Sequence, residues 1–278
     1  MAQNLDGVGL SKKVLEDVRD EIKKKGLSPG LAVVIVGDNP ASRIYVNSKK
    51  KDCKKCGIRS EEYALPADTT EETLLKLIGE LNRNDDIHGI LVQLPLPKGL
   101  NADKAIQAIS PDKDVDGFHM ENVWRIFVND YAFLPCTPAG IVEILAHYGI
   151  ETKGKHCVII GRSTIVGKPM AMMMTNLNAT VTLCHSMTKD LPSVTRQADI
   201  LVAAIGKANM VTKDMVKEGA VVIDVGINRL DGGGICGDVD YESVKEIASF
   251  ITPVPGGVGP MTRAILMKNT LKACMQKN

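Results

Sequence analysis

Cys157-Val158-Ile159-Ile160-Gly161-Arg162-Ser163-Thr164-Ile165-Val166-Gly167-Lys168-Pro169 decides the fold. A short β-branched run, a glycine turn and an apolar helical stretch follow one another, which predicts a strand feeding a helix N-terminus. Such a junction leaves backbone N–H groups unpaired and adds the helix dipole, and both favour a bound anion. The placement suits a dinucleotide. Only two glycines occur, Gly161 and Gly167, so this is not the GxGxxG fingerprint, and a plain strand-to-helix connection has the same composition. Arg162 is placed to pair with a 2′-phosphate. The next apolar run, Thr180–Cys184, ends in His185-Ser186 with no acid to hold a free 2′-hydroxyl. Both points favour NADP over NAD.

Working outward, short apolar runs alternate with longer amphipathic stretches, the pattern of βα units around a mostly parallel sheet. Strands are expected at Leu31–Val36, Ile87–Gln93, Cys157–Ile160, Thr180–Cys184, Ile200–Ile205 and Ala220–Val225. Helices are expected at about Ser11–Lys25, Ala41–Cys56, Thr70–Asn82, Pro138–Tyr148, Gly167–Asn176 and Pro260–Met275. Thr69-Thr70-Glu71-Glu72 puts acids in a first turn, and Thr137 before Pro138 reads as an N-cap followed by proline. A polar, glycine-containing connection at Gly149–Lys155 marks a boundary. Residues 1–148 then form one lobe and 149–259 the other, with the last helix, about 260–278, returning to the first.

The 278 residues are comfortable for two lobes. With 44% hydrophobic and 24% charged residues, the composition argues against disorder and against a membrane protein. A net charge of +1 and 4% aromatics argue against nucleic-acid binding. The first segment, MAQNLDGVGLSKKVLEDVRDEIKKK, fits neither a secretory signal nor a transit peptide, so a cytoplasmic location is expected. Seven scattered cysteines read as reduced thiols. Cys53 and Cys56 form a CxxC, but no second pair or histidine cluster stands at zinc-site spacing, and no metal is expected.

Four further segments can carry chemistry. In Tyr45-Val46-Asn47-Ser48-Lys49 a phenol and an amine four residues apart share one helix face; a lysine-rich surface helix has the same pattern. Val92-Gln93-Leu94-Pro95-Leu96-Pro97 ends a strand where α/β sheets bind ligands, and its prolines hold Gln93 stiffly; a simple strand terminator reads the same way. Lys113-Asp114-Val115-Asp116-Gly117 has two carboxylates that point the same way in extended chain, suited to a divalent metal or an amino-substituted heterocycle, unless one caps the following turn. Thr252-Pro253-Val254-Pro255-Gly256-Gly257-Val258-Gly259-Pro260 is a rigid loop that can include a cis proline and is suited to framing a site.

These segments, with LPCTPAGI, VVIDVGIN and GDVDY, resemble the bifunctional methylenetetrahydrofolate dehydrogenase/methenyltetrahydrofolate cyclohydrolase family over nearly the whole chain. The resemblance implies two α/β lobes with a folate cleft between them, the C-terminal lobe being a Rossmann-type, mostly parallel sheet. It also implies NADP as cofactor, tetrahydrofolate derivatives as substrates and a homodimer. Lys49 matches the family's catalytic lysine, Tyr45 its partner, Gln93 the residue that orients it and Asp116 the carboxylate that holds the pterin. Leu94, Pro95, Pro255, Gly256 and Gly257 would shape the folate pocket. Thr137, Gly161, Arg162, Ser163, Ile165, Ser186, Gly226 and Ile227 would line the cofactor site. The chain departs at Val8, where the family often has lysine. NAD-using relatives place arginine where Ser186 stands, which again points to NADP. The alternatives are a dehydrogenase of another small molecule and a non-catalytic nucleotide-binding protein; the joint presence of Lys49, Gln93 and Asp116 argues against the second.

Overall fold

The computed structural model describes residues 1–230 and 232–277; Asp231, and Asn278 at the end of the expected terminal helix, lie outside the described residues. In chain order the elements are β1 (Gln3–Asn4), α1 (Gly7–Lys25), β2 (Gly30–Val36), α2 (Pro40–Cys56), β3 (Arg59–Leu65), α3 (Glu71–Arg83), β4 (Gly89–Val92), α4 (Ala102–Gln107), α5 (Met120–Phe127), α6 (Cys136–His147), β5 (His156–Ile160) and α7 (Gly167–Asn176). There follow β6 (Thr180–Cys184), α8 (Leu191–Thr195), β7 (Ile200–Ala203), β8 (Val221–Asp224), β9 (Asn228–Arg229), β10 (Ile235–Cys236), α9 (Tyr241–Val244), β11 (Phe250–Ile251) and α10 (Val258–Lys277). The chain divides into two compact units: unit 1 is Met1–Ser11 with Thr137–Thr262, and unit 2 is Lys12–Cys136 with the chain from Arg263 onward.

Unit 2 is built on a parallel sheet of order β3-β2-β4. All seven residues of β2, GLAVVIV, are buried, as an apolar run covered on both faces requires. Ala32, Val34 and Val36 pack with Leu74, Ile78 and Leu81 of α3 and with Ile90 and Val92 of β4. The acids foreseen in the first turn of α3 follow an N-cap, Thr70, whose hydroxyl accepts from the Thr73 N–H. Strand β3 was not foreseen. Its sequence, RSEEYAL, is polar and lies at the sheet edge, yet it pairs with β2 through seven consecutive residues.

Unit 1 carries a six-stranded sheet of order β1-β11-β8-β7-β5-β6, with every pair parallel, and a separate β9–β10 hairpin. This is the parallel α/β sheet that the alternating pattern predicts, of the Rossmann type that the family resemblance implies. Its core joins Val158, Ile160, Leu201, Ala203, Val222 and Ile251 from the strands to Met215, Val216 and Val244. From β5 the chain moves outward to β6 on one side, then returns to place β7 on the other. The connections diverge between β5 and β7, where open α/β sheets bind ligands at the carboxyl ends of the strands.

The cap expected at Thr137 is not one. Helix α6 begins at Cys136, so Thr137 lies in its first turn and its hydroxyl bonds to that of Thr262 at 3.1 Å. Pro138 is still tolerated, because N–H groups of a first turn have no partner within the helix to lose.

Candidate functional site

Helix α2 is fixed at both ends. Asn39 accepts from the N–H groups of Ala41 and Ser42, Pro40 opens the helix, and Gly57 closes it in the left-handed conformation at φ 80°. From the side, Glu62 of β3 binds both Arg43 and Lys50. Lys50 is thereby held on one face and the neighbouring Lys49 projects from another. The Lys49 Nζ donates to Gln93 Oε1 at 3.1 Å, and Gln93 Nε2 donates to the Leu94 carbonyl at 2.7 Å. The Gln93 backbone N–H bonds to the Val34 carbonyl of β2, and the Leu94–Pro95 peptide that follows is cis. Tyr45 sits one turn before Lys49 and is 36% exposed, open to a ligand.

The two carboxylates of the Asp-Val-Asp segment do not act as a pair. Asp114 is buried and accepts from the His119 N–H at 2.7 Å and from Asn122 Nδ2 at 2.9 Å, which anchors the start of α5. Lys113 is buried too, its Nζ capping the end of α3 on the carbonyls of Leu81 and Asn84. Only Asp116 is left for a ligand. It retains some surface exposure but is so closely walled by protein that burial pushes its carboxyl up to about 6, a rise that nearby Lys49 opposes and Asp114 reinforces. The Cys136 thiol lies beside it, its own hydrogen donated to the Val115 carbonyl at 3.3 Å. The supporting shell was missed in the sequence: Asn269 Nδ2 donates to the carbonyls of Val115 (2.8 Å) and Leu134 (3.1 Å), tying the Asp116 loop to the segment before α6. Gly117 belongs to the same packing, because its φ is +74° and a Cβ there would come within 2.7 Å of the Leu134 backbone.

In unit 1 the parallel register puts the loops after β5, β6, β7 and β8 on one edge, so Gly161, Arg162, Ser163, Ile165, Ser186, Gly226 and Ile227 all lie at carboxyl ends of strands. Gly161 has φ +120°, and a Cβ there would meet the Ala204 carbonyl at 2.1 Å; the loops after β5 and β7 touch at the switch point itself. Ser163 Oγ accepts from the N–H groups of Val166 and Gly167 and so caps α7. Arg162 and Ser186 are exposed and available to a ligand. A glycine cradle at a helix N-terminus, with an exposed arginine and His185-Ser186 in place of an acid at the end of β6, fits a dinucleotide bearing a 2′-phosphate. Pro255, Gly256 and Gly257 belong to this unit, in the loop between β11 and α10, where the Val254–Pro255 peptide is cis and the Gly257 N–H bonds to the Pro253 carbonyl.

One feature of this edge escaped the sequence reading. Asp224 Oδ1 accepts from the N–H groups of Gly226 and Asp238, both at 2.9 Å, and its Oδ2 accepts from that of Val239. Asp238 in turn accepts from the N–H groups of Ile205 (2.6 Å), Gly206 (2.9 Å) and Lys207 (2.8 Å) and from Asn228 Nδ2 (2.9 Å). The signal in the sequence was glycine beside each acid: a Cβ on Gly237 would fall 1.7 Å from Asp224 Oδ2, and one on Gly226 would fall 2.2 Å from Asp238 Oδ1. The CxxC is inert by contrast. Both thiols are buried, and burial raises Cys53 to about 11 and Cys56 to about 12, which suppresses the thiolate that redox or metal chemistry needs.

The family description "Tetrahydrofolate dehydrogenase/cyclohydrolase, catalytic domain" matches residues 5–116, and its "NAD(P)-binding domain" matches residues 135–278. A relative from Ruminiclostridium cellulolyticum, named Bifunctional protein FolD, is 56% identical over 280 residues, covering 100% of this chain and 99% of its own. The crystal structure of the bifunctional methylenetetrahydrofolate dehydrogenase/cyclohydrolase from Campylobacter jejuni superposes with a TM-score of 0.97 at 51% identity, covering 100% of both chains. That of the Trypanosoma brucei enzyme, complexed with NADP cofactor and inhibitor, gives 0.94 at 36% identity, covering 99% of this chain and 98% of the other.

Proposed function

The chain belongs to the tetrahydrofolate dehydrogenase/cyclohydrolase family, and on that premise we propose that it oxidises 5,10-methylenetetrahydrofolate to the 5,10-methenyl form with NADP and hydrolyses the product to 10-formyltetrahydrofolate. The observation that carries this reading is the Lys49–Gln93 hydrogen bond of 3.1 Å beside the walled-in Asp116, inside the part of the chain that matches the catalytic domain.

Bound NADP supplies the acceptor for the hydride that leaves the methylene carbon. The folate nitrogen next to that carbon stabilises the resulting cation, so the chain's task in this step is alignment and no strong base is needed. Gly161, Arg162, Ser163, Ile165, Ser186, Gly226 and Ile227, with Thr137 in α6, are the residues that would hold the cofactor. Asp116 holds the amino-substituted pterin ring by charge-assisted hydrogen bonds, and Tyr45 supports the folate beside it. Leu94 and Pro95, next to Gln93, would shape the folate pocket, and the family resemblance assigns Pro255, Gly256 and Gly257 to folate as well.

In the hydrolytic step water attacks the methenyl carbon and a C–O bond forms as one water proton passes to Lys49; the remaining hydroxyl proton moves to N5 of the ring as its bond to that carbon breaks and the formyl C=O forms. Gln93 orients the Lys49 amine for this role through their 3.1 Å hydrogen bond. Lys50 is engaged with Glu62 and takes no part.

Following NADPH and methenyl-folate together, with NADP and then with NAD, tests the reading. Methylene-folate should be consumed with both signals appearing, and faster with NADP; an enzyme that reduces NADP with no methenyl or formyl product would refute it. The same reading carries a homodimer, supported by the family resemblance, and a cytoplasmic location. Light scattering should then give twice the chain mass of 30.0 kDa. Among the described residues no helix is long and apolar enough to cross a membrane.

A further inference from the structure

Asp238 stands at the carboxyl edge of the six-stranded sheet and is 0% exposed. Three consecutive backbone N–H groups, of Ile205, Gly206 and Lys207, converge on its carboxylate in the loop after β7. Such a concavity of N–H groups is the geometry that binds phosphates, and here the protein fills it with its own anion. A cofactor diphosphate is thereby left to the other donor cluster of the edge, the Gly161–Gly167 turn at the start of α7. With the 2′-phosphate side of a dinucleotide beside Arg162 and Ser186, the nicotinamide half falls toward the loops after β7 and β8.

Those are the two loops that Asp238 joins. It grips 205–207 directly and the loop after β8 through Asn228 Nδ2, while its own N–H rests on Asp224, which also takes the Gly226 N–H. We propose that Asp238 is a positioning residue for the dehydrogenase reaction: its carboxylate sets the spacing of the 205–207 and 226–228 backbones that receive the nicotinamide half of NADP. This rests on the NADP-dependent reading given above. Asp238 itself does not touch the cofactor.

The enzyme offers an internal control, because hydrolysis of preformed methenyl-folate needs no nucleotide. In the full-length protein, Asp238→Asn puts an amide N–H₂ where an acceptor stood; it should raise the Kd for NADP, by titration calorimetry, and the KM for NADP by about tenfold, the equivalent of roughly 1.4 kcal/mol. Dehydrogenase kcat should fall with them, and cyclohydrolase kcat/KM should stay within about twofold. Asn228→Ala, at a partly exposed position that leaves the three N–H bonds in place, should show the same split at about threefold, and it carries the test if Asp238→Asn fails to fold. Unchanged NADP affinity in Asn228→Ala, or equal loss of both activities in Asp238→Asn, overturns the proposal. A wild-type protein that binds NADP but does not oxidise methylene-folate would refute the functional reading and leave the positioning role to be judged on Kd alone. If it does not bind NADP, both fall.

Discussion

Asp116 in unit 2 and Asp224 in unit 1 have carboxyls pushed to the same place, about 6, by the same cause, burial. Their surroundings differ. Asp224 is 3% exposed and spends its acceptor capacity on three backbone N–H groups at 2.9 Å. Asp116 has a thiol beside it and an amine within electrostatic reach, and keeps most of its lone pairs unused. A displaced pKa marks both as unusual, but the inventory of partners separates an acid that builds the fold from one that awaits a ligand.

The comparison can be broken by experiment, and the largest effect expected is at the amine next to Asp116. Lys49→Met should lower cyclohydrolase turnover by at least about 100-fold, the usual loss when a positioned proton acceptor is removed, and damage the dehydrogenase less. It should also move the acid limb of folate binding to higher pH, because the amine that opposes the rise at Asp116 is gone. Full hydrolysis in the variant would remove Lys49 from the mechanism.

Paired asparagine substitutions come next. Asp116→Asn should weaken folate binding by about 10- to 100-fold, corresponding to roughly 1.5–3 kcal/mol for a hydrogen bond to a charged group, with NADP affinity unchanged. Asp224→Asn should instead cost about 1–3 kcal/mol of stability in denaturant unfolding, because one backbone N–H is turned toward an amide donor. Exchange of the two phenotypes would overturn the distinction.

Titration sharpens it further. Both carboxyls have folded values above their ordinary 3.8, so the stability linked to them is present below that value and is lost as pH rises to about 6. Asn mimics the protonated acid. The melting temperature of Asp116→Asn relative to wild type should therefore be highest near neutrality and converge toward wild type near pH 4. In function the sign reverses: folate binding by wild type should strengthen as pH rises through about 6, when Asp116 ionises. The smallest effect is expected at the surface, where Glu62→Gln should cost under about 1 kcal/mol and leave both activities nearly unchanged.

The same contrast explains what the sequence made legible. Apolar periodicity revealed β2, β5, β7 and β8, since strands buried on both faces are continuous hydrophobic runs. It did not reveal β3, whose charged residues suit a sheet edge, nor β1 and β11, two residues each and too short for any pattern. Lys49, Gln93 and Asp116 stand at marked places, a helix face, a strand end and an acidic turn, but it was the family resemblance that singled them out, and the Lys49–Gln93 bond is what the structure adds. That Asp114 would turn to His119 and Asn122 was not readable, and neither was the tie from Asp238 to Ile205, 33 residues away in sequence. Bonds of that kind depend on where the backbone has already gone.

The double anchoring of α2 means that its lysines are addressed by angle as much as by distance. Each residue of a helix turns the next by roughly 100°, so inserting one between Tyr45 and Lys49 would swing the amine about a quarter of the way round the axis while Asn39 still held the start. Gln93 would face Ser48, with the lysine content unaltered. Three neighbouring amines of identical composition are thus distinct chemical entities here, told apart by the clock position at which a fixed cylinder presents them.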